Sequence, residues 1–446
     1  MNPESIVGFI ALQLGISEAA FRLLIGVFSG YPLAFIYRKH IYNKNQEIQC
    51  LYFAISGFLI GFWNFGFEIF HCLLSIVFSY FIILLFKASI ISVTIIFIST
   101  FSYLLVGYYF TSTDSYDITW TMPYCILVLR LIGVAFDAYD GSRPKEQLSS
   151  TKFALKQPPT LLQMLGHSFF PSAFLVGPQF TMTRFLDFVN GKFNSKDSNG
   201  HELPPDSMSA SLKKLSQGLF YLATYQALSF LVSDDLLLSD DFAQTCIFKK
   251  LLLMEGACIM FGLSYNDEED GKTKWDGVAN IKLSVFENST EFNHYIQSFN
   301  VNTNDWVARH IYKRLKFLGN KYYSQAGVLL FLAVWHGIHS GYYVTFLHEF
   351  IVIFVERDVQ SFVKSNEKVS AFFSNPTVSA IVHVLLRLYT FIFMGWSVIP
   401  FVFLQYPRYM KVYANCSYSG FIVHYLWPIL YGPLLRMVFK RTRTNQ

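Results

Sequence analysis

The sequence predicts an all-α, polytopic membrane protein, and three observations carry that prediction. Of 446 residues, 53% are hydrophobic and 18% aromatic, while only 15% are charged. A soluble domain carries about 25% charged residues. Charged positions are also spaced so that long uncharged runs lie between them. Finally, one of the longest of those runs, 322–348, holds His336 and His339 near its middle, within 27 residues free of Asp, Glu, Lys and Arg. About 20 apolar residues span a hydrocarbon core as a helix, and titratable groups at that depth mark functional sites by default.

The uncharged runs place the spans. They cover 48–67, 69–86 and 88–113 in the N-terminal half, and 322–348, 388–407 and 412–435 in the C-terminal half. Less clean candidates are 19–36, 116–136, 167–189, 211–232 and 244–265. The total is roughly eight to eleven transmembrane helices, with the boundaries open by several residues. A transmembrane β-barrel needs alternating strands of about ten residues, and that alternation is missing here. Residues 1–18 include Glu4 and Glu18 and have no basic segment before the apolar run. The first span is therefore expected to stay in place.

Polar stretches at 137–166, 190–210 and 266–305 interrupt the apolar pattern. Each is too short for a domain with its own sizeable core, and no internal repeat is evident. A single membrane-embedded domain over 1–446 is the simplest organisation. The six cysteines are scattered and form no C-x-x-C pair, which argues against a metal centre or a disulfide framework. The formal net charge is +5. Its basic clusters (Arg309, Lys313, Arg314 and Lys316, then Lys440, Arg441 and Arg443) flank spans and point to the cytosolic side. Lying between spans and not on a soluble module, they do not suggest a nucleic-acid partner. Sequons occur at Asn288 and Asn415 and matter only where the loop faces a lumen.

His336 and His339, three residues apart, would share one face of a helix. Three readings stand side by side: a metal site, two histidines that fix packing, and acid–base chemistry near neutral pH. Helical zinc sites usually carry i, i+4 histidines with a carboxylate. Here Gly337 and Ile338 intervene, and Glu349 lies ten residues beyond His339. Gly337 and Gly341 thin the segment and allow a ligand or backbone to approach closely. Residues 306–319 pattern as a membrane-surface helix with a basic face, suited either to snorkelling or to phosphate, with Asn304 or Asp305 as its N-cap. Arg130 and Asp137, two helical turns apart, read as a buried ion pair or a snorkelling arginine in preference to a direct catalytic role. Phe170-Pro171 and Gly177-Pro178 are expected to break a helix.

Three passages resemble the membrane-bound O-acyltransferase (MBOAT) superfamily, and most closely its lysophosphatidylcholine acyltransferase branch. They are Phe299-Asn300-Val301-Asn302-Thr303-Asn304 with Trp306-Val307-Ala308-Arg309, then Lys313 to Asn320, and Trp335-His336-Gly337-Ile338-His339-Ser340-Gly341-Tyr342. The dense match covers 298–350, and a weaker one includes 129–141 and 177–180. The resemblance implies an MBOAT fold around an internal reaction chamber, with His336 as catalytic base and Asn300 as the second catalytic residue. It implies acyl-CoA as co-substrate with no permanently bound cofactor or metal, and a lysophospholipid acceptor in phospholipid remodelling. Acyl-CoA would enter from the cytosol, and the lysolipid laterally or from the lumenal leaflet. Arg309, Lys313, Arg314 and Lys316 are the candidates for the CoA phosphates. Trp335 and His339 would also contact substrate, His339 tuning or positioning and not reacting. The endoplasmic reticulum membrane is the implied location, although the di-lysine ending typical of vertebrate members is replaced by Arg441-Thr-Arg-Thr-Asn-Gln446. Oligomeric state stays open, a homodimer included. Two competing functions also stay open: an acyltransferase with a protein, sterol or diacylglycerol acceptor, and a proton-coupled transporter or scramblase.

Overall fold

Uncharged runs became helices, interrupted at prolines, at strained glycines and at residues of positive φ such as Leu404, Ser417 and Tyr418. The computed structural model describes residues 6–13, 16–113, 118–144, 152–196, 202–231, 257–266, 268–269 and 272–439. Most of the 244–265 candidate span and the basic tail from Lys440 lie outside these. The helices are α1 (Ile6–Gln13), α2 (Glu18–Ile36), α3 (Gln46–Phe65), α4 (Ile69–Leu85), α5 (Ile90–Thr111), α6 (Thr121–Gly141), α7 (Leu161–Ser168), α8 (Met182–Val189) and α9 (Met208–Leu231). They continue as α10 (Leu283–Glu287), α11 (Phe292–Ser298), α12 (Val301–Val307), α13 (Lys321–His336), α14 (Ser340–Lys364), α15 (Glu367–Phe373), α16 (Pro376–Phe403), α17 (Tyr406–Asn415) and α18 (Gly432–Val438). Two antiparallel pairs of two-residue strands, Ser195–Lys196 with Glu202–Leu203 and Glu268–Glu269 with Lys272–Thr273, are minor additions. The class is all-α, as predicted.

Six stretches among the described residues are long and apolar enough to cross a membrane. One of them, Gln46–Leu85, contains both α3 and α4, divided by a short 3-10 turn at Gly66–Glu68. Local chemistry sets several starts. Asn45 accepts from the Ile48 amide at 2.9 Å and caps α3, and Thr160 with Gln163 forms a reciprocal capping box on α7. Asn375 with Pro376 opens α16.

Backbone contacts divide the chain into two compact units. The first comprises 1–280 with 305–310. Within it α6 is the internal helix. In its most apolar window 83% of residues are buried, against 28–33% for the spans from Glu18 to Thr111, whose exposed Leu, Ile and Phe side chains suit hydrocarbon. The expected span at 167–189 is not one helix. α7 stops at Ser168, an irregular segment follows, and α8 starts at Met182. Pro171, Pro178 and Gly177 (φ +103°) end helical hydrogen bonding there. That segment packs hard on α3, since a Cβ on Gly57 would lie 1.5 Å from the Phe169 carbonyl oxygen.

The second unit comprises 281–304 and 311–446. Its core joins α11, α14, α16 and α17 through Phe292, Val352, Ile353, Trp396, Phe403, Tyr409, Val412 and Tyr413. The uncharged run 412–435 is divided between the end of α17, two π-helical turns at Phe421–Tyr425 and Trp427–Tyr431, and the start of α18.

Candidate active site

The stretch 322–348 does not form one helix. α13 ends at His336, Gly337 takes φ +141° with ψ −168°, and α14 starts at Ser340. Only glycine holds such a backbone without strain. His336 and His339 therefore do not share a helix face, which corrects the spacing argument. His336 is the last residue of α13, and His339 occupies the N-cap position of α14.

The break is held in place from α16. The Gly341 amide donates to the Leu404 carbonyl at 2.9 Å. A Cβ on residue 341 would lie 1.9 Å from the Pro400 carbonyl oxygen, so the close approach expected of Gly341 is real and its partner is backbone. Ser340 Oγ lies 3.3 Å from the Tyr409 hydroxyl.

Four aromatic rings surround the His336 imidazole. Their centroids lie at 4.6 Å for Trp335, 5.0 Å for Phe401, 5.6 Å for Phe346 and 5.8 Å for Tyr342. Trp335 is buried, and His336 itself is half-buried. No hydrogen bond to the His336 ring forms among the described residues. A packing histidine would carry such a bond, because a buried polar group without one is destabilising. His348 and His424, both fully buried in this unit, show the contrast. His348 Nδ1 meets the Tyr413 hydroxyl at 3.1 Å, and His424 Nδ1 meets the Gly420 carbonyl at 3.0 Å. The negative end of the α13 dipole also falls at His336, a sign that stabilises an imidazolium as it forms. The aromatic wall was invisible in the sequence, because Phe401 lies in another helix.

Asn300 sits in the turn between α11 and α12, in left-handed conformation with φ +50°. Asn is among the few residues that adopt this backbone readily. The helix carrying Trp306 begins at Val301, so Asn300 precedes it. Its carbonyl accepts the Asn304 amide at 2.9 Å. Neither Asn304 nor Asp305 is the N-cap, contrary to expectation. Instead, Asn304 Nδ2 donates backwards to the carbonyls of Ile296 (2.7 Å) and Phe299 (3.0 Å). Phe299 bridges antiparallel to Ile281, and the Lys282 amide donates to Ser298 at 2.8 Å. The half-buried Asn300 is thus fixed on both sides. Burial raises the Tyr295 phenol above its ordinary pKa.

The basic segment is continuous but not one regular helix. It runs from α12 into a π-helical turn at Ala308–Tyr312 and a 3-10 turn at Lys313–Leu318, ending at Gly319 with φ +71°. Trp306 and His310 are buried in the first unit. Arg309 stands over the Phe153 ring at 4.3 Å and pairs with Asp305 at 2.9 Å. In the second unit Lys313 and Lys316 are exposed, and Arg314 is half-buried.

Arg130 and Asp137 do not form the expected ion pair. The guanidinium donates to the carbonyls of His167 (3.0 Å), Ser168 (2.9 Å), Ala173 (2.7 Å) and Pro178 (3.2 Å), and to Gln179 Oε1 at 3.4 Å. Asp137 instead faces His310, its Oδ1 3.9 Å from Nε2. Carbonyl ends of a broken helix outcompete a carboxylate here because they need donors of their own.

The fold and site define a class: a helical membrane protein presenting a fixed asparagine and an imidazole that, among the described residues, has no hydrogen bond and no group of three metal-ligating side chains near it. Residues 105–399 match the membrane-bound O-acyltransferase family, and the chain belongs to it. It is 40% identical to human lysophospholipid acyltransferase 5, with 93% of this chain and 88% of that protein covered. It is 39% identical to the Drosophila melanogaster protein of that name, over 95% and 88%. With the Caenorhabditis elegans protein the figure is 32%, over 97% and 96%.

Proposed function

We propose that this protein is an acyl-CoA:lysophospholipid O-acyltransferase of phospholipid remodelling, with lysophosphatidylcholine as acceptor. The carrying observation is His336, an imidazole with no hydrogen bond among the described residues, set at a helix C-terminus inside an aromatic wall. The relatives' names support the acceptor class.

In this reading, His336 takes the proton from the free glycerol hydroxyl of the lysolipid as its oxygen attacks the thioester carbonyl. The carbon–sulfur bond then breaks, and the CoA thiolate leaves and is protonated from the imidazolium. A thiol of pKa near 8.5 leaves readily and needs little help. The Asn300 amide donates to the oxyanion that develops on the thioester oxygen. Transfer is direct in a ternary complex, since no Ser or Cys among the described residues is paired with His336. Trp335 and His339 shape the acceptor side, and Arg309, Lys313, Arg314 and Lys316 meet the CoA phosphates. We place the protein in the endoplasmic reticulum membrane, with the acyl-CoA entrance cytosolic and one membrane-embedded domain carrying the reaction.

The test is acyl transfer by the purified protein from labelled acyl-CoA, with lysophosphatidylcholine, other lysophospholipids, diacylglycerol and a sterol in competition. Labelled phosphatidylcholine as the main product supports the assignment. Transfer only to a neutral lipid, or none, overturns it.

A further inference from the structure

The α11 helix lacks a local cap at its N-terminus. Its N-cap residue, Glu291, makes no side-chain capping bond. The end is held instead from α14. Glu356 accepts the Phe292 amide with both carboxylate oxygens, at 3.0 and 3.2 Å. One turn further along α14, Gln360 Nε2 donates to Glu291 Oε2 at 2.6 Å. Residues four apart share a helix face, so α14 grips the start of α11 at two points.

Glu356 is an unusual choice for that work. It lies on α14 one turn after Val352 and Ile353, which belong to an apolar cluster with Phe292 and Trp396. Its carboxylate forms no ion pair among the described residues. A carboxylate near apolar side chains is unfavourable unless its oxygens are satisfied. Here the satisfied oxygens fix one end of a short helix.

What that helix carries explains the arrangement. α11 is seven residues long, about 10 Å at 1.5 Å per residue. Asn300 follows its C-terminal end by two residues. α14, the helix bearing Glu356, begins at the turn after His336. Glu356 therefore ties the element that starts beside the base to the element that ends at the asparagine.

We propose that Glu356 is a positioning residue for Asn300, acting through α11. The inference rests on the reading of Asn300 as an amide donor to the reaction. Misplacing such a group by about 1 Å costs on the order of 10²-fold in rate.

The experiment compares Glu356→Gln, Glu356→Asp and Glu356→Ala in purified protein, each alone and combined with Asn300→Ala. Glutamine keeps an acceptor oxygen at the same reach and should stay within about threefold of wild type. Aspartate, shorter by one methylene, and alanine should lower kcat roughly 10- to 100-fold, with both KM values within about twofold. Groups that act as a unit are non-additive, so in the Asn300→Ala background Glu356→Ala or Glu356→Asp should cost under about threefold more. Hydrogen exchange of the 289–299 backbone should accelerate in the same variants. A full multiplicative loss on top of Asn300→Ala overturns the proposal, because Glu356 would then act on something else. Unchanged exchange in 289–299 overturns it as well. Wild-type turnover by Asn300→Ala would remove the Asn300 reading instead, and the exchange measurement would still decide whether Glu356 holds α11. Glu356→Asp serves in each arm if the alanine variant does not fold.

Discussion

Arg130 and Asp137, seven residues apart on the buried helix α6, serve different partners: the arginine closes the carbonyls after α7, and the aspartate faces His310. Arg130 is 1% exposed and meets no carboxylate among the described residues. Its worth lies in the number and spread of its donors. Four carbonyls and one side-chain amide converge on five N–H groups in a fixed fork.

That geometry makes Arg130 structural and intolerant. Arg130→Lys supplies three donors from a single point and leaves buried carbonyls unpaired, each costing about 1–3 kcal/mol. We expect Arg130→Lys and Arg130→Ala to lower thermal stability in detergent and to reduce yield by similar amounts. Asp137→Asn should be clearly milder. Normal melting of Arg130→Lys would contradict the clip.

His336→Ala should fold and insert, with at most a modest drop in melting temperature from the lost ring contacts, because no hydrogen bond to a described residue is lost. Acyl transfer should fall by roughly 10²–10⁴-fold, the usual worth of a general base. His336→Gln, similar in reach and unable to take the proton, should be equally inactive. Near-normal transfer by either folded variant would remove His336 from the chemistry.

Much of this was legible in the sequence, and the failures have identifiable causes. Spans α3, α4 and α5 fall close to the uncharged runs, since charge exclusion from hydrocarbon is a property of composition. The helix breaks at Pro171 and Gly177 follow from proline's missing N–H. The break at Gly337 was not legible, because glycine is tolerated inside helices and the Gly341–Leu404 bond that fixes the start of α14 comes from a distant helix. The Arg130 partner was missed for a similar reason: spacing along α6 shows which residues share a face, but not the carbonyls released by another element. The same holds for the aromatic wall of His336 and for Glu356, whose partner amide at Phe292 lies 64 residues upstream.

The basic segment divides into two kinds of residue, and kinetics should separate them. Lys313 is exposed, whereas Arg309 is held by Asp305 and Phe153. Lys313→Ala should raise KM for acyl-CoA several-fold with kcat and lysolipid KM nearly unchanged, as expected of uniform ground-state binding. The rise should grow weaker at high salt. Arg309→Ala should do the same but also lose stability through the Phe153 contact. Asp305→Asn, which frees Arg309, should leave acyl-CoA KM at or below wild type. A change confined to the lysolipid KM would assign the segment to the acceptor side. If the segment is cytosolic, the exposed sequon at Asn288 carries no glycan, and endoglycosidase produces no gel shift.

Asn300 allows a test that separates backbone from side chain. Its φ of +50° offers a purely conformational reason for asparagine: few residues adopt left-handed backbone, and glycine does so freely. If conformation were the whole reason, Asn300→Gly would be silent and Asn300→Ala would be harmful through strain. If the amide serves the reaction, both variants lose it. We expect Asn300→Gly to keep wild-type melting and lose roughly 10²–10³-fold in kcat, the range for removing one oxyanion donor. Asn300→Ala should lose at least as much rate and some stability as well. Asn300→Asp keeps the local backbone preference but brings a negative charge to the developing oxyanion, so it should be no more active than the glycine variant. Asn304→Ala makes the complementary case, because its amide bonds to the Ile296 and Phe299 carbonyls. It should loosen the turn, with a smaller kcat loss than Asn300→Gly. Wild-type turnover by Asn300→Gly would reduce Asn300 to a turn residue and leave His336 as the sole catalytic side chain proposed for this site.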